Sequence, residues 1–157
     1  MSVMRKTLLW MSTNRWLREH AMRTAFVRRS VVKFMPGERV EDALEAAAAL
    51  KPQGLNTIVT RLGENISRIE EAKEVSDHYD MVIDKIKAAG LDAQVSVKPT
   101  QLGYDQDKEV CFKYCLALLK RAEAAGTFFW LDMESTPYVE GTIALFKRLR
   151  AHSDKVG

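Results

Sequence analysis

Two runs of this sequence end on charges that a folded chain must place with care. Ser96-Val97-Lys98-Pro99-Thr100-Gln101-Leu102-Gly103 carries an alternating, strand-like segment to a lysine. Phe128-Phe129-Trp130-Leu131-Asp132-Met133-Glu134-Ser135 carries an aromatic one to an aspartate. In parallel α/β proteins the carboxyl edge of the strands is where ligands bind and chemistry is done. A lysine there can hold a carboxylate, a phosphate or an electron-rich cofactor ring. An aspartate there can close an ion pair, and Lys98 is its obvious partner. Either charge left buried and unpaired would cost several kcal/mol, so each must face a counter-charge, a polar ligand or water.

Other candidates carry less. Glu134 shares parity with Asp132 across Met133, but it lies one step nearer the next helix, whose positive end is an alternative to a site role. Arg61 and Glu64 flank Leu62-Gly63 at an earlier strand end, where Gly63 permits a tight turn; a structural role stands beside a functional one for both. His20, His78 and His152 are scattered, and no His/Cys spacing suits a metal. Cys111 and Cys115 are four apart on one helical face, where a disulfide is awkward, and read as two reduced thiols. Nothing resembles a nucleophile elbow, a phosphate-binding glycine loop or a dinucleotide fingerprint.

The elements that must position these residues follow from periodicity. An alanine-rich helix spans Val40–Leu50 after the Pro36-Gly37 break, and Lys51-Pro52-Gln53-Gly54 closes it. A strand over Leu55–Arg61 leads to a long helix opened by a Ser67/Glu70 capping box and closed at Gly90. The second strand, Ala93–Lys98, sets Ala93, Val95 and Val97 on one face and Gln94, Ser96 and Lys98 on the other. Pro99 removes an amide donor but is expected to leave the strand end intact. A helix over Gln106–Ala125 ends at Gly126, and a third strand covers Thr127–Met133. Thr136-Pro137, cap and first-turn proline, then opens a helix to about Arg150.

Strand starts at Leu55, Ala93 and Thr127 lie thirty-eight and thirty-four residues apart, with a helix in each gap. That repetition demands parallel strands. Lys155-Val156-Gly157 reads as the start of a fourth. The first and third strands are expected to be open edges, which invite association.

At 157 residues, 46% hydrophobic and 29% charged, the chain is an ordinary single-domain length with a real core. No apolar run approaches the roughly 18–20 residues needed to span a bilayer. The net charge of +3 hides an asymmetry, because residues 1–39 carry nine Lys/Arg against two Glu. Residues 4–34 read as one or two short basic helices. A solvated helical arm is the first reading, contact with an anionic membrane surface the second, and nucleic acid the last. No aromatic-interleaved RNA motif or zinc spacing accompanies the charge.

Taken together, Phe34-x-x-Gly37-Glu38, Leu62-Gly63-Glu64-Asn65, Lys98-x-Thr100-Gln101-Leu102-Gly103 and Leu131-Asp132-Met133-Glu134 resemble the proline dehydrogenase family, the monofunctional bacterial type and the matching domain of the bifunctional flavoenzymes. The resemblance covers nearly the whole chain. It implies an α/β fold, a partial (βα)8 TIM-type barrel of three βα units preceded by N-terminal helices. Residues 1–50 would be the basic arm and the helix leading into the barrel, and residues 51–157 the first three βα units. It further implies FAD as cofactor, L-proline as substrate, 1-pyrroline-5-carboxylate as product and a quinone as electron acceptor. By position, Lys98 resembles the substrate-binding lysine near the flavin, Asp132 the catalytic acid that orders the substrate pocket, and Met133 the residue that contacts the flavin. The implied location is the cytoplasm, peripheral at the inner membrane face.

A complete barrel of this kind needs roughly 250 residues. The family's later strands supply most flavin contacts, and its paired-arginine segment for the substrate carboxylate has no counterpart here. The chain is therefore expected to be a fragment, inactive alone. Two alternatives stand beside this. One is a non-catalytic truncated-barrel module whose basic arm binds a membrane or a partner chain; the other is a different flavin- or phosphate-binding barrel.

Overall fold

The computed structural model describes Trp10 and residues 35–37, 39–63 and 65–157. The basic helices expected over residues 4–34 lie outside the described residues, Trp10 apart. The chain divides into two compact units, Met1–Ala43 and Leu44–Gly157.

Helix α1 covers Val40–Leu50, as its alanine-rich sequence predicts, and a single 3₁₀ turn over Lys51–Gln53 ends it at Gly54. Strand β1 is Thr57–Thr60, shorter than the expected Leu55–Arg61. The physical reason at its far end is a competing acceptor. The Arg61 amide donates to the Tyr79 hydroxyl at 3.0 Å instead of extending the ladder.

Helix α2, Glu70–Ala88, buries Ala72, Val75, Tyr79, Val82, Ile83 and Ile86, the stripe its 3.6-residue period marks out. The Ser67/Glu70 capping box does not form. Glu70 is already the first helical residue, and the Arg68 amide is taken by the Glu71 carboxylate at 3.1 Å. Gly90 and Gly126 adopt the left-handed conformation beyond α2 and α3, as expected.

Strand β2 is Ala93–Val97, with Ala93, Val95 and Val97 fully buried and Gln94 and Ser96 half-buried. It stops one residue short of Lys98, and Pro99 opens a buried 3₁₀ turn, Pro99–Leu102. Lys98 itself stays extended, so Pro99 removes an amide donor and leaves the strand end in place, as expected. In the observed register the next ladder donor on β2 would be the amide of residue 99, which proline lacks. Helix α3, Lys108–Ala125, starts two residues later than expected because Asp107 caps it. Its carboxylate accepts from the amides of Glu109 (2.8 Å) and Val110 (3.1 Å).

Strand β3 is Phe129–Leu131, the centre of the expected Thr127–Met133. A 3₁₀ turn over Thr136–Tyr138 precedes helix α4, Val139–Arg150. Ser135, extended and without a side-chain cap bond, takes the position expected of Thr136.

The three strands among the described residues form a parallel sheet in the order β1-β2-β3. The last residues join it. Phe129 and Leu131 donate to the carbonyls of Lys155 (3.0 Å) and Gly157 (2.8 Å), and Gly157 donates back to Phe129 at 3.1 Å. The fourth-strand reading of Lys155-Val156-Gly157 therefore holds, and the expectation of an open third edge is corrected, since these residues occupy it.

One face of the sheet is the core. Val95, Val97, Phe129 and Val156 meet the buried stripes of α2, α3 (Cys111, Cys115, Leu118, Leu119, Ala122) and α4 (Thr142, Leu145, Leu149). The two thiols are buried and free, 4.0 Å apart. The opposite face carries Ile58, Thr60, Gln94, Ser96, Phe128 and Trp130, and Ile58 there is 56% exposed.

Gly103 closes the 3₁₀ turn at φ 87°, and an added Cβ would sit 2.5 Å from Ile69 Cδ1. Gly103→Ala should lower the unfolding free energy by more than about 1 kcal/mol in urea titrations; an unchanged midpoint contradicts the assigned packing. His78, half-buried on α2, has its pKa lowered by burial and then by the Arg61 charge. The native state then keeps it neutral to a lower pH than the unfolded chain, which binds a proton near the ordinary value of about 6.5. Stability from this group is present above that pH and lost as pH falls below it. The urea midpoint should drop between pH 7.5 and 5, and His78→Gln should remove part of that drop.

Candidate functional site

The site is assembled by strand register. Val97 pairs with Leu131, and the Asp132 amide continues the ladder to the Val97 carbonyl at 2.9 Å. The next residues on the two strands, Lys98 and Asp132, are thereby brought together on the face opposite the helices. Their side chains form an ion pair, Lys98 Nζ to Asp132 Oδ2 at 2.8 Å. The lysine side chain is 20% exposed and the aspartate 39%. Both groups are thus partly withdrawn from water, yet the carboxylate still faces out of the fold. Such a pair sits between the exposed and the buried regimes, and its net contribution is on the order of 1 kcal/mol.

Beneath the pair the same face is aromatic. Phe128 and Trp130 stack obliquely with centroids 4.9 Å apart. Trp130 Nε1 donates to Gln94 Oε1 at 2.5 Å, which settles the indole against β2. Met133, the next residue after Asp132, is 51% exposed. A large apolar side chain left in water beside a charge pair suits contact with a ring or with further chain.

The turn after Lys98 is the part that sequence reasoning missed. Thr100 and Gln101 are buried polar residues, and each holds a neighbouring strand end. Gln101 Nε2 donates to the carbonyls of Arg61 (2.9 Å) and Gly63 (2.5 Å). Thr100 donates to Glu134 from its amide (3.1 Å) and its hydroxyl (2.5 Å). Tyr79, fully buried on α2, accepts from the Arg61 amide and donates to the Ser96 carbonyl at 2.9 Å. Burial raises the pKa of its phenol, which favours the protonated form that this bridging needs. The signal available in the sequence was a polar Thr-Gln pair between Pro99 and Gly103, without a period to show that it faces inward.

Glu134 finds its hydrogen-bond partner across the sheet edge. Both its oxygens are engaged by Thr100, on the neighbouring strand end. The shared parity carries past the end of the strand at Leu131: Asp132 meets Lys98, and Glu134 meets Thr100 two residues further on. Arg61 is exposed and its backbone is held from two sides; Glu64 lies outside the described residues. Chemically, the edge offers an oriented ammonium, a half-exposed carboxylate, a thioether and an aromatic floor. Such an edge can take a polar or charged ligand, or an apolar ring, from outside the sheet.

Comparison with known proteins gives a consistent answer. The sequence model described as Proline dehydrogenase matches residues 43–156. Proline dehydrogenase 1 of Bacillus subtilis subsp. natto is 26% identical over 155 residues, covering 99% of this chain and 51% of that protein. Proline dehydrogenase of Deinococcus radiodurans is 29% identical over 120 residues, covering 74% of this chain and 39% of its own length. The chain thus spans about half the length of the Bacillus relative. Among solved structures, proline utilization A (PutA) from Bdellovibrio bacteriovorus, inactivated by N-propargylglycine, matches with a TM-score of 0.68 at 21% identity. That match covers 78% of this chain and 15% of that one, and at such identity it speaks for the fold. With the family match taking in most of its length, this chain belongs to the proline dehydrogenase family.

Proposed function

We infer that this chain supplies the lysine–aspartate edge of an enzyme that oxidises L-proline to 1-pyrroline-5-carboxylate. The observation that carries the reading is the 2.8 Å contact between Lys98 and Asp132 at the carboxyl edge of adjacent parallel strands. Family membership supports the substrate. The architecture that fits is the first part of a (βα)8 barrel, with residues 51–157 giving three βα units and the start of a fourth strand.

The cofactor in this reading is FAD, which when bound accepts the hydride leaving the proline ring carbon beside nitrogen. The residues present fit one edge of such a ring, on the chemistry of the side chains alone. Met133 is the assigned contact to the flavin. Lys98 is the substrate-binding residue, its ammonium held in one orientation by Asp132. Asp132 takes the catalytic role: it fixes Lys98, and its half-exposed carboxylate stabilises the changing charge on the substrate. The proton lost from the substrate nitrogen on forming the imine passes to solvent or to a base outside the residues named here. A quinone acceptor and a peripheral place at a membrane surface come with the family resemblance. Among the described residues no helix is long and apolar enough to cross a membrane.

Because the chain spans about half of its Bacillus relative, and Ile58 and Met133 are exposed on or beside the site face, these residues alone are not expected to sustain turnover. Purified as it stands, the chain should carry no flavin absorbance near unit stoichiometry; a stoichiometric band would contradict this. Fused to the remaining half of the Bacillus relative, it should support proline-dependent dye reduction. Lys98→Ala and Asp132→Ala should each lower that rate about 100-fold. Unaltered rates in both variants would remove the assigned roles.

A further inference from the structure

We propose that Glu134 is a positioning residue, and that its clamp on Thr100 sets the Lys98–Asp132 pair. The proposal rests on the reading that this pair is the substrate end of the site. The sheet has a gap beside this pair. Between β2 and β3 the ladder runs regularly up to the bond from the Asp132 amide to the Val97 carbonyl at 2.9 Å. Its next rung would run from the amide of residue 99 to the carbonyl of residue 132. Residue 99 is proline, so that rung is missing at the point where the charges leave the sheet.

Glu134 closes the gap by another route. Its two oxygens accept from the Thr100 amide at 3.1 Å and the Thr100 hydroxyl at 2.5 Å. Thr100 is fully buried and Glu134 half-buried, so these charge-assisted bonds are shielded from competing water. Lys98 lies two residues before Thr100, and Asp132 two residues before Glu134. The ion pair is therefore enclosed between the last ladder bond on one side and the clamp on the other. Without the clamp the backbone beyond Asp132 has no bond to β2 among those described, and the carboxylate can swing off the ammonium. The contact between the two charges is then no longer fixed by the sheet edge.

A purely structural Glu134 predicts something different: lower stability, with the Lys98–Asp132 contact unaltered. The two are separated by a double-mutant cycle on Lys98→Met and Asp132→Asn, read from urea unfolding of the full chain. The cycle is run in the wild-type background and again in Glu134→Leu, Thr100→Val and Thr100→Ser. In the wild type the pair should show a coupling of about fivefold in the unfolding equilibrium constant. Glu134→Leu should bring that factor to about one, Thr100→Val should reduce it, and Thr100→Ser, which keeps the hydroxyl, should restore it. A coupling that survives both Glu134→Leu and Thr100→Val overturns the proposal, as does its absence from the wild type. If Glu134→Leu does not fold, the Thr100→Val and Thr100→Ser comparison decides the matter alone. The cycle uses neither proline nor flavin, so failure of the catalytic reading, seen in dye reduction, is distinguishable from failure of the clamp.

Discussion

The site depends on one constraint, the parallel register in which Val97 of β2 stands opposite Leu131 of β3. Because side chains alternate across a strand, that register sends the buried Val97 and the half-buried Leu131 to the helix side and both following charges to the other. A slip of one residue would set Lys98 against an apolar neighbour and Asp132 against the buried core. The cost of burying a lone carboxylate there, several kcal/mol, makes such a slip unfavourable. The charges at the edge and the hydrophobic faces of the strands therefore specify the same pairing.

Above that pairing the strand ends are held by side chains and not by further ladder. Tyr79 ties the ends of β1 and β2 from beneath, Gln101 ties the Arg61–Gly63 segment to the turn after Lys98, and Thr100 ties that turn to Glu134. Each of these groups is buried or half-buried with a partner, as polar groups away from water must be. The result is a carboxyl edge whose loops are anchored while Lys98, Asp132 and Met133 stay accessible at it. Anchored loops carrying exposed functional groups are what a binding edge requires.

Much of this was legible in the sequence, for identifiable reasons. The alternation of Ala93–Val97 gave both faces of β2, and the repeat of strand and helix gave parallel pairing and the start of a fourth strand at Lys155-Val156-Gly157. Lys98 and Asp132 were singled out because a charge at the end of an apolar strand is conspicuous. What was not legible depends on contacts remote in sequence. The Tyr79 hydroxyl could not be seen to cut β1 short at Arg61, nor could the period reveal that Thr100 and Gln101 point inward. The Ser67/Glu70 capping box matched a local pattern but lost to the turn that starts α2 at Glu70. Parity put Glu134 in step with Asp132, but its partner Thr100 lies on another strand end and could not be read from it. Local periodicity fixes faces; where a strand ends is decided by what competes for its amides.

The most direct test of the central claim is zero-length carbodiimide coupling of the intact chain followed by peptide mapping. A carboxylate and an amine in contact should be joined as an amide between Lys98 and Asp132, and the bond should be absent from Lys98→Met and Asp132→Asn. Coupling of Lys98 to a different carboxylate, with Asp132 captured by an added external amine, would contradict the geometry from which the rest is built.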